Sequence, residues 1–442
     1  MKAFEGLRPR RTTVQTRVSI LGANALNPVL ILLTRKRRIL QNISQVPEKI
    51  GILIPQFPGQ THIFFWREIL ELQNMGVNVT LFSTLPPPAG LISHRWSEEA
   101  MARTEYLVDK DPINAALALL RFPWGTLRRD LGQEPREFLK DILLSLPAAR
   151  RLARACKHAG ITHVHAHSAR RAATICALAK VIWGLEYSLT LHGPMSDYGP
   201  GQGFKWRHAR FGTVITQKLR RELEATIGHD LPEQVYLQPM GVNTNEMSRA
   251  EPYSPPAVGG PLKLFSCGRL NIVKGHQDLM DAVKLLRDRG IDAKLEIAGQ
   301  DDAGGSGYFG ELCRKRDALG LQEHVTLLGA IDAASVQQKL LETHIFVLAS
   351  WHEPLGVAYM EAMSCAVPTI GTDAGGVPEL ITHNHDGILV PPKAPEALAE
   401  AIEALAADPQ KLMALSDAGR ATIMKSFSSK RGADTLLEGM RN

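Results

Sequence analysis

Paired cysteines, long apolar runs and single-sign charge on the body of the chain are all missing from this sequence of 442 residues. The five cysteines (Cys156, Cys176, Cys267, Cys313 and Cys365) are scattered, without pairs or metal-ligand spacing. That excludes a disulfide framework and reads as reduced thiols in a cytoplasmic protein. The apolar stretch Val18–Leu33 is interrupted by Asn24 and Asn27. It falls short of the roughly 20 apolar residues a membrane span needs. No small-residue cleavage site follows it, and Arg35–Arg38 do, which is wrong for a secretory signal. No phosphate-loop, serine-hydrolase or zinc signature occurs anywhere.

The net charge of +6 is unevenly placed. Residues 1–49 hold ten Lys or Arg against two acids, or +8, so the remainder carries −2. A nucleic-acid enzyme would carry its excess on its folded domains, so no nucleic-acid partner is expected. The basic extension reads as a start without a fold of its own. The alternative is an anchor for anionic lipid at a membrane surface. Hydrophobic content of 44% is ordinary for a globular protein, and the length suits two domains.

From Ile50 onward, short apolar strands alternate with helical stretches. Strands are expected at 50–54, 77–82, 106–108, 161–165, 187–191, 213–216 and 235–237. Helices are expected at 61–75 and 169–183, with 112–158 mostly helical and broken at Pro123 and Pro147. Residues 243–261 break the rhythm with a Pro/Gly-rich linker, Glu251–Pro261. The alternation then restarts and runs to the C-terminus. Strand–helix alternation implies right-handed crossovers and parallel sheets. The division expected is a basic extension (1–48), an acceptor-side domain (49–242), a linker (243–261), a nucleotide-sugar domain (262–425) and a last helix, 426–442, crossing back to the first domain. Two doubly wound α/β domains would place a ligand cleft between the carboxyl ends of their sheets.

Three segments after expected strands carry chemistry. In Ser350–Met363, Glu353 precedes a helix opened by Gly356 and Val357, and Glu361 lies one to two turns in. Free N–H groups at a helix start favour an anion. A diphosphate there would put a ribose near Glu361 and a sugar near Glu353. A capping acid and an ordinary surface glutamate would explain the same residues. In Gly268–Gly275, Arg269 and Lys274 stand five residues apart, able to grip a diphosphate from two sides. In Asp373–Glu379, Gly375 and Gly376 let backbone approach a ligand, and Pro378 suits a helix start.

Together these segments resemble the family-4 glycosyltransferases of the GT-B class, the group-1 glycosyltransferases. Four blocks match in order over 262–405: Gly268–Gly275, Leu295–Gly299, Glu353–Glu361 with its seven-residue spacer, and Asp373–Ile381. The resemblance implies a GT-B fold, a UDP- or GDP-sugar donor and retention at the anomeric carbon. It implies Glu361 on the ribose, Glu353 near the donor sugar, and Arg269 with Lys274 on the diphosphate. No metal and no cofactor are implied. The first half matches more loosely. Pro239–Asn243 resembles the segment before the family's linker, and Thr190–Gly193 looks like the strand end bearing its pocket histidine, here His192. Pro55–Thr61 stands where the family often has paired glycines near the diphosphate, and only Gly59 is present.

His163, His165 and His167 alternate onto one face of a strand, a metal-like pattern. No Cys or acid lies near them in sequence, so zinc is not expected. Asp109-Lys-Asp111 has the form used by metal-dependent glycosyltransferases of the other main fold, but such a tripeptide arises often by chance and is read as loop. The expected activity is transfer to a saccharide acceptor, lipid-linked acceptors included, in bacterial exopolysaccharide, capsule or lipopolysaccharide assembly. The rivals are an epimerase or phosphorylase on the same architecture, and a non-catalytic donor-binding module.

Overall fold

The computed structural model describes residues 47–59, 62–87, 95–108, 135–257, 259–301 and 307–442, together with 120, 122 and 125. Its first half, among the described residues, is built on a seven-stranded parallel sheet of order β3-β2-β1-β4-β5-β6-β7. The strands are β1 (Lys49–Ile54), β2 (Asn78–Ser83), β3 (Thr104–Tyr106), β4 (His163–Ala166), β5 (Glu186–Leu191), β6 (Gly212–Val214) and β7 (Val235–Leu237). Between them run α1 (Ile63–Asn74), α2 (Arg95–Arg103), α3 (Pro135–Ala159), α4 (Arg171–Trp183), α5 (Gln202–Arg207) and α6 (Gln217–Ile227).

The strands are nearly continuous apolar runs because helices cover both faces. In β1 only Lys49 is exposed. Helix α4 follows the same logic. Residues Ala172 to Ala179 are all buried, so small side chains replace an amphipathic pattern.

The second half holds a six-stranded parallel sheet of order β10-β9-β8-β11-β12-β13. Its strands are β8 (Leu262–Cys267), β9 (Ala293–Ala298), β10 (Val325–Gly329), β11 (Ile345–Val347), β12 (Thr369–Thr372) and β13 (Ile388–Val390). Its helices are α7 (His276–Asp288), α8 (Tyr308–Ala318), α9 (Ala333–Glu342), α10 (Val357–Ser364), α11 (Pro395–Ala406) and α12 (Pro409–Ser426). The final helix, α13 (Ser429–Arg441), packs on α1. Its Ala433, Leu436, Leu437 and Met440 join Ile52, Phe65, Trp66 and Ile69 in one buried cluster. Burying each of the three large side chains is worth about 1.5–3 kcal/mol, enough to hold the helix there.

Each sheet reverses direction once. The switch falls between β1 and β4 in the first and between β8 and β11 in the second. Loops diverge at such points and leave a crevice at the carboxyl ends of the strands. The fold therefore nominates two loop pairs. One joins the loop after β1, containing Gly59, to His167 after β4. The other joins Arg269–Lys274 after β8 to Ser350–Gly356 after β11.

Several local expectations needed revision. Pro147 lies inside α3 instead of ending a helix. A proline there forfeits the bond to the carbonyl four residues back. That residue is Leu143, 43% exposed, so water can take the partner's place. The short third strand is Thr104–Tyr106, two residues earlier than read. Helices α2, α5 and α6 and strand β13 were not anticipated. The linker is pinned rather than loose: Arg249 donates to the carbonyls of Cys365 and Leu341, and Tyr253 to that of His344. Pro123 and Asp109–Asp111 lie outside the described residues.

Candidate active site

The loop after β8 is tied to the loop after β11 by main-chain and side-chain bonds. Trp351 N–H donates to the carbonyl of Val273 at 2.7 Å, and Ser350 Oγ to the same carbonyl at 3.2 Å. Trp351 Nε1 donates to Asp278 on α7 at 2.5 Å. These bonds hold Glu353 opposite Lys274, and Lys274 Nζ pairs directly with the Glu353 carboxylate. Their side chains are only 13% and 11% exposed.

Gly356 is the N-cap of α10, with φ 98°. A Cβ there would lie 2.4 Å from the Tyr359 ring, and L side chains avoid that backbone region. Val357 is the first helical residue, and the N-terminus of α10 opens beside Glu353. The loop after β12 completes this wall. Gly375, with φ 65°, leaves room for a carbonyl, since a Cβ would lie 2.0 Å from Glu353 O. Gly376 N–H donates to that carbonyl at 2.8 Å. Arg269, Lys274, Glu353, Gly356 and Val357 thus occupy neighbouring strand-end loops of one sheet.

The first half meets this wall with charge. Arg67 on α1 donates through Nη1 to Glu361 Oε1 at 2.7 Å. Glu379 accepts from the N–H groups of Gln217 and Lys218, at 2.6 and 2.8 Å. It caps α6 from the other half of the molecule, where the helix dipole favours an anion. Thr216 Oγ1 completes the cap by accepting from Leu219 N–H at 3.2 Å. Gly59 packs against His62, with 2.6 Å between its would-be Cβ and the imidazole. Burial, then the charges of His167 and Arg269, push His62 down to about 4.

His192 is half-buried, its ring against Phe64, Phe65 and His167 with ring-centroid separations of 5.6, 5.2 and 5.6 Å. Neither of its ring nitrogens has a hydrogen-bond partner among the described residues. Burial, then His167 and His62, hold it neutral, well below the usual imidazole range. It lines a small cavity with Glu68, His167, Thr190, Gln238, Pro239 and Met240. His167 Nε2 lies 3.1 Å from Glu68 Oε1, close but out of hydrogen-bond alignment.

The other two histidines of the alternating trio are bonded into the core. His163 Nε2 and His165 Nδ1 share Ser188 Oγ at 2.9 and 2.8 Å, and His165 Nε2 meets Thr190 Oγ1 at 2.8 Å. Among the described residues no cluster of His, Cys, Asp or Glu has the geometry of a metal site.

Sequence reasoning missed Arg67, His62 and Glu68, and it gave Glu379 no role of its own. Arg67 had a faint signal, a lone arginine directly after Phe64-Phe65-Trp66 on a helix with a buried face. Its partner, 294 positions away, had none.

Residues 249–422 match the family described as glycosyl transferases, group 1. An uncharacterized glycosyltransferase of Methanocaldococcus jannaschii is 32% identical over 141 residues, 32% of this chain and 35% of that protein. The match therefore spans about a third of that relative's length. TuaC of Bacillus subtilis, named for glycosyl transfer in teichuronic acid biosynthesis, is 26% identical over 362 residues, 78% of this chain and 84% of TuaC. Among solved structures, Anabaena HepE in complex with UDP superposes with a TM-score of 0.68 at 18% identity. That superposition covers 88% of this chain and 98% of HepE. The fold is GT-B, two parallel-sheet α/β domains.

Proposed function

Starting from a chain whose residues 249–422 belong to the group 1 glycosyl transferases, we propose that it is a retaining, metal-independent glycosyltransferase moving a sugar from a UDP- or GDP-sugar to a saccharide acceptor. The observation that carries this reading is the convergence of Arg269, Lys274, Glu353 and the Gly356 helix start at one topological switch point. All of them are strand-end groups, and all fit one part of a nucleotide sugar.

Breaking the anomeric bond leaves charge on a diphosphate. Arg269, Lys274 and the N–H groups at Gly356 and Val357 would stabilise that charge, a term worth several kcal/mol in a water-poor site. Lys274 is paired with Glu353, the carboxylate assigned to the donor sugar. Glu361 would accept from ribose hydroxyls and Glu353 from hydroxyls of the donor sugar. Gly59 would bring the first-half loop toward the diphosphate. A same-face route needs no carboxylate nucleophile. The acceptor oxygen bonds to the anomeric carbon as the carbon–phosphate oxygen bond breaks, and the leaving phosphate takes the acceptor proton. His192, held neutral by burial, has one donor and one acceptor nitrogen to spend on a sugar hydroxyl.

HepE has been solved with UDP-glucose, and TuaC is named for teichuronic acid biosynthesis. Both favour a nucleotide-sugar donor and a surface-polysaccharide acceptor, lipid-linked acceptors included. No described helix is long and apolar enough to cross a membrane. The basic extension would then supply peripheral contact with the inner face of the membrane.

A thermal-shift screen against UDP-, GDP- and ADP-sugars tests the reading, because a ligand of the folded state raises its stability by mass action. The cognate donor is expected to raise Tm and to be hydrolysed slowly in excess EDTA. Proton NMR of the first product should show a retained anomeric configuration. No shift with any donor, or an inverted product, would overturn it.

A further inference from the structure

Arg67 is 3% exposed, yet one hydrogen bond is all it makes among the described residues, Nη1 to Glu361 Oε1 at 2.7 Å. Its Nε lies 4.0 Å from Glu246 Oε2, too far for a bond, and Nε and Nη2 have no partner among the described residues. Glu246 is itself half exposed and contributes little. A buried guanidinium is costly unless its donors are used. Evolution of a stable interface alone would favour an apolar pair or a fully bonded one. The unspent donors sit beside the carboxylate assigned above to the ribose, and they come from the opposite half of the molecule.

We propose that Arg67 reads the donor's ribose from across the cleft, by orienting Glu361 and by offering its own unspent donors. The inference rests on the reading of Glu361 as the acceptor for ribose hydroxyls. Arg67 occupies Oε1 and sets the rotamer of the carboxylate. Oε2 is left for a hydroxyl, and the free Nε and Nη2 edge supplies donors to the ribose oxygens. The ribose is then read jointly by α1 and α10, and its hydroxyls are sensed only when both halves are in place.

The helix around Arg67 is anchored on its other sides, so the side chain has a fixed base. Glu71 Oε1 accepts from Ser429 Oγ at 3.0 Å, and Phe65, Trp66 and Ile69 are buried against α13. A lysine at the same place would keep the charge but lose the planar fork that reaches a carboxylate and a ligand together.

The test compares affinities by calorimetry on the full chain. The probes are UDP and GDP, each with its 2′,3′-dideoxy counterpart. The unmodified protein is expected to prefer the ribose form by about ten- to a hundredfold, the range of one charge-assisted hydrogen bond. Arg67→Gln should bring that ratio to within about threefold of unity while leaving dideoxy affinity nearly unchanged, and Arg67→Lys should give an intermediate ratio. Glu361→Gln is the reference. If Glu361→Gln collapses the ratio and Arg67→Gln preserves it, the role of Arg67 is refuted and the site reading stands. If Glu361→Gln preserves the ratio, Glu361 does not contact the ribose and the site reading itself fails. An equal loss of both ligands in Arg67→Gln would refute the proposal, since a purely structural role moves both together. Should Arg67→Gln not fold, Arg67→Lys carries the same comparison: an unchanged ratio refutes the proposal.

Discussion

Lowering the pH should unfold this protein steeply, because five histidines, three buried (His163, His165 and His276) and two half-buried (His62 and His192), are held neutral. His62 is pushed down to about 4 and His163 and His276 to about 3, while His165 and His192 lie well below the usual range. Burial is the largest cause in each. Arg210 and Lys180 add to it at His163, Lys274 at His276, and neighbouring imidazoles at the rest, with Arg269 also acting on His62. In the unfolded chain each returns to a pKa near 6.5. The sign follows from linkage. The folded pKa values are depressed, so the neutral-state stability is complete above about pH 6.5. It is lost as pH falls toward the folded values of about 4 and about 3. Near pH 5.5 each unfolded imidazole is roughly nine-tenths protonated, so unfolding should take up about four to five protons. At about 1.4 kcal/mol per proton per pH unit, stability falls by about 6–7 kcal/mol per unit, comparable with the whole stability of a domain. Proton uptake on urea unfolding at pH 5.5, followed with a pH-stat, measures the number directly. His276→Asn should lower it by about one. Uptake of fewer than about two protons would refute the claim that these imidazoles are held neutral.

Four further outcomes follow from the site. Glu361→Ala and Glu353→Ala should each cut kcat/KM about ten- to a hundredfold, the value of a charge-assisted hydrogen bond, with far-UV circular dichroism unchanged; near-normal turnover in both would remove them from the site. Arg269→Ala and Lys274→Ala should weaken a nucleoside diphosphate far more than its nucleoside by calorimetry, and equal losses would place these cations elsewhere. Gly375→Ala should lower activity and stability together, by about 1–3 kcal/mol in urea unfolding, since it combines φ 65° with a Cβ 2.0 Å from Glu353 O; a silent substitution would mean the loop has slack. Full-length protein should float with anionic liposomes at low salt while a truncated chain beginning at Glu48 stays behind, and failure of both to bind would favour a soluble acceptor.

The alternation of apolar strands with helical stretches made both sheets legible, because strands buried on two faces leave unbroken apolar runs such as Ile50–Ile54. Helices α5 and α6 escaped because Gln202–Arg207 is six residues long and Gln217–Ile227 is mostly polar, with mainly Leu219, Leu223 and Ile227 turned inward. Pro147 misled because a proline reads as a break unless its orphaned carbonyl is known to face solvent. At the site, loops that follow strands could be recognised from local spacing. Pairings across the cleft could not. The contact between Arg67 and Glu361, and that between Glu379 and α6, join residues 294 and at most 162 positions apart, and nothing local in a sequence encodes them.

The two halves are joined in two different ways, and the difference bears on how a donor could enter. On one side the chain crosses between them twice, and the crossings are bonded to each other. Val242 N–H donates to Phe427 O at 2.9 Å, and Ser429 N–H to Val242 O at 2.8 Å. Gly241 is pressed so close to Ser428 that a Cβ would lie 2.3 Å from its carbonyl carbon. Helix α13 then buries its apolar face on α1, which makes this edge permanent. Across the cleft the described polar contacts are carboxylates meeting a guanidinium or a helix N-terminus, at Glu361 and at Glu379. Apolar contacts cannot be exchanged for a hydrophilic ligand without loss. Charged ones can, because hydroxyls and phosphates offer the same groups equivalent partners. Lys274 and Glu353 are paired within the second half, and on the proposed reading a diphosphate and a sugar would take the place of that pairing. On that reading, admitting the donor would exchange the Lys274–Glu353 pair for bonds to the ligand while Arg67 stays on Glu361 Oε1, and the apolar edge would stay intact throughout.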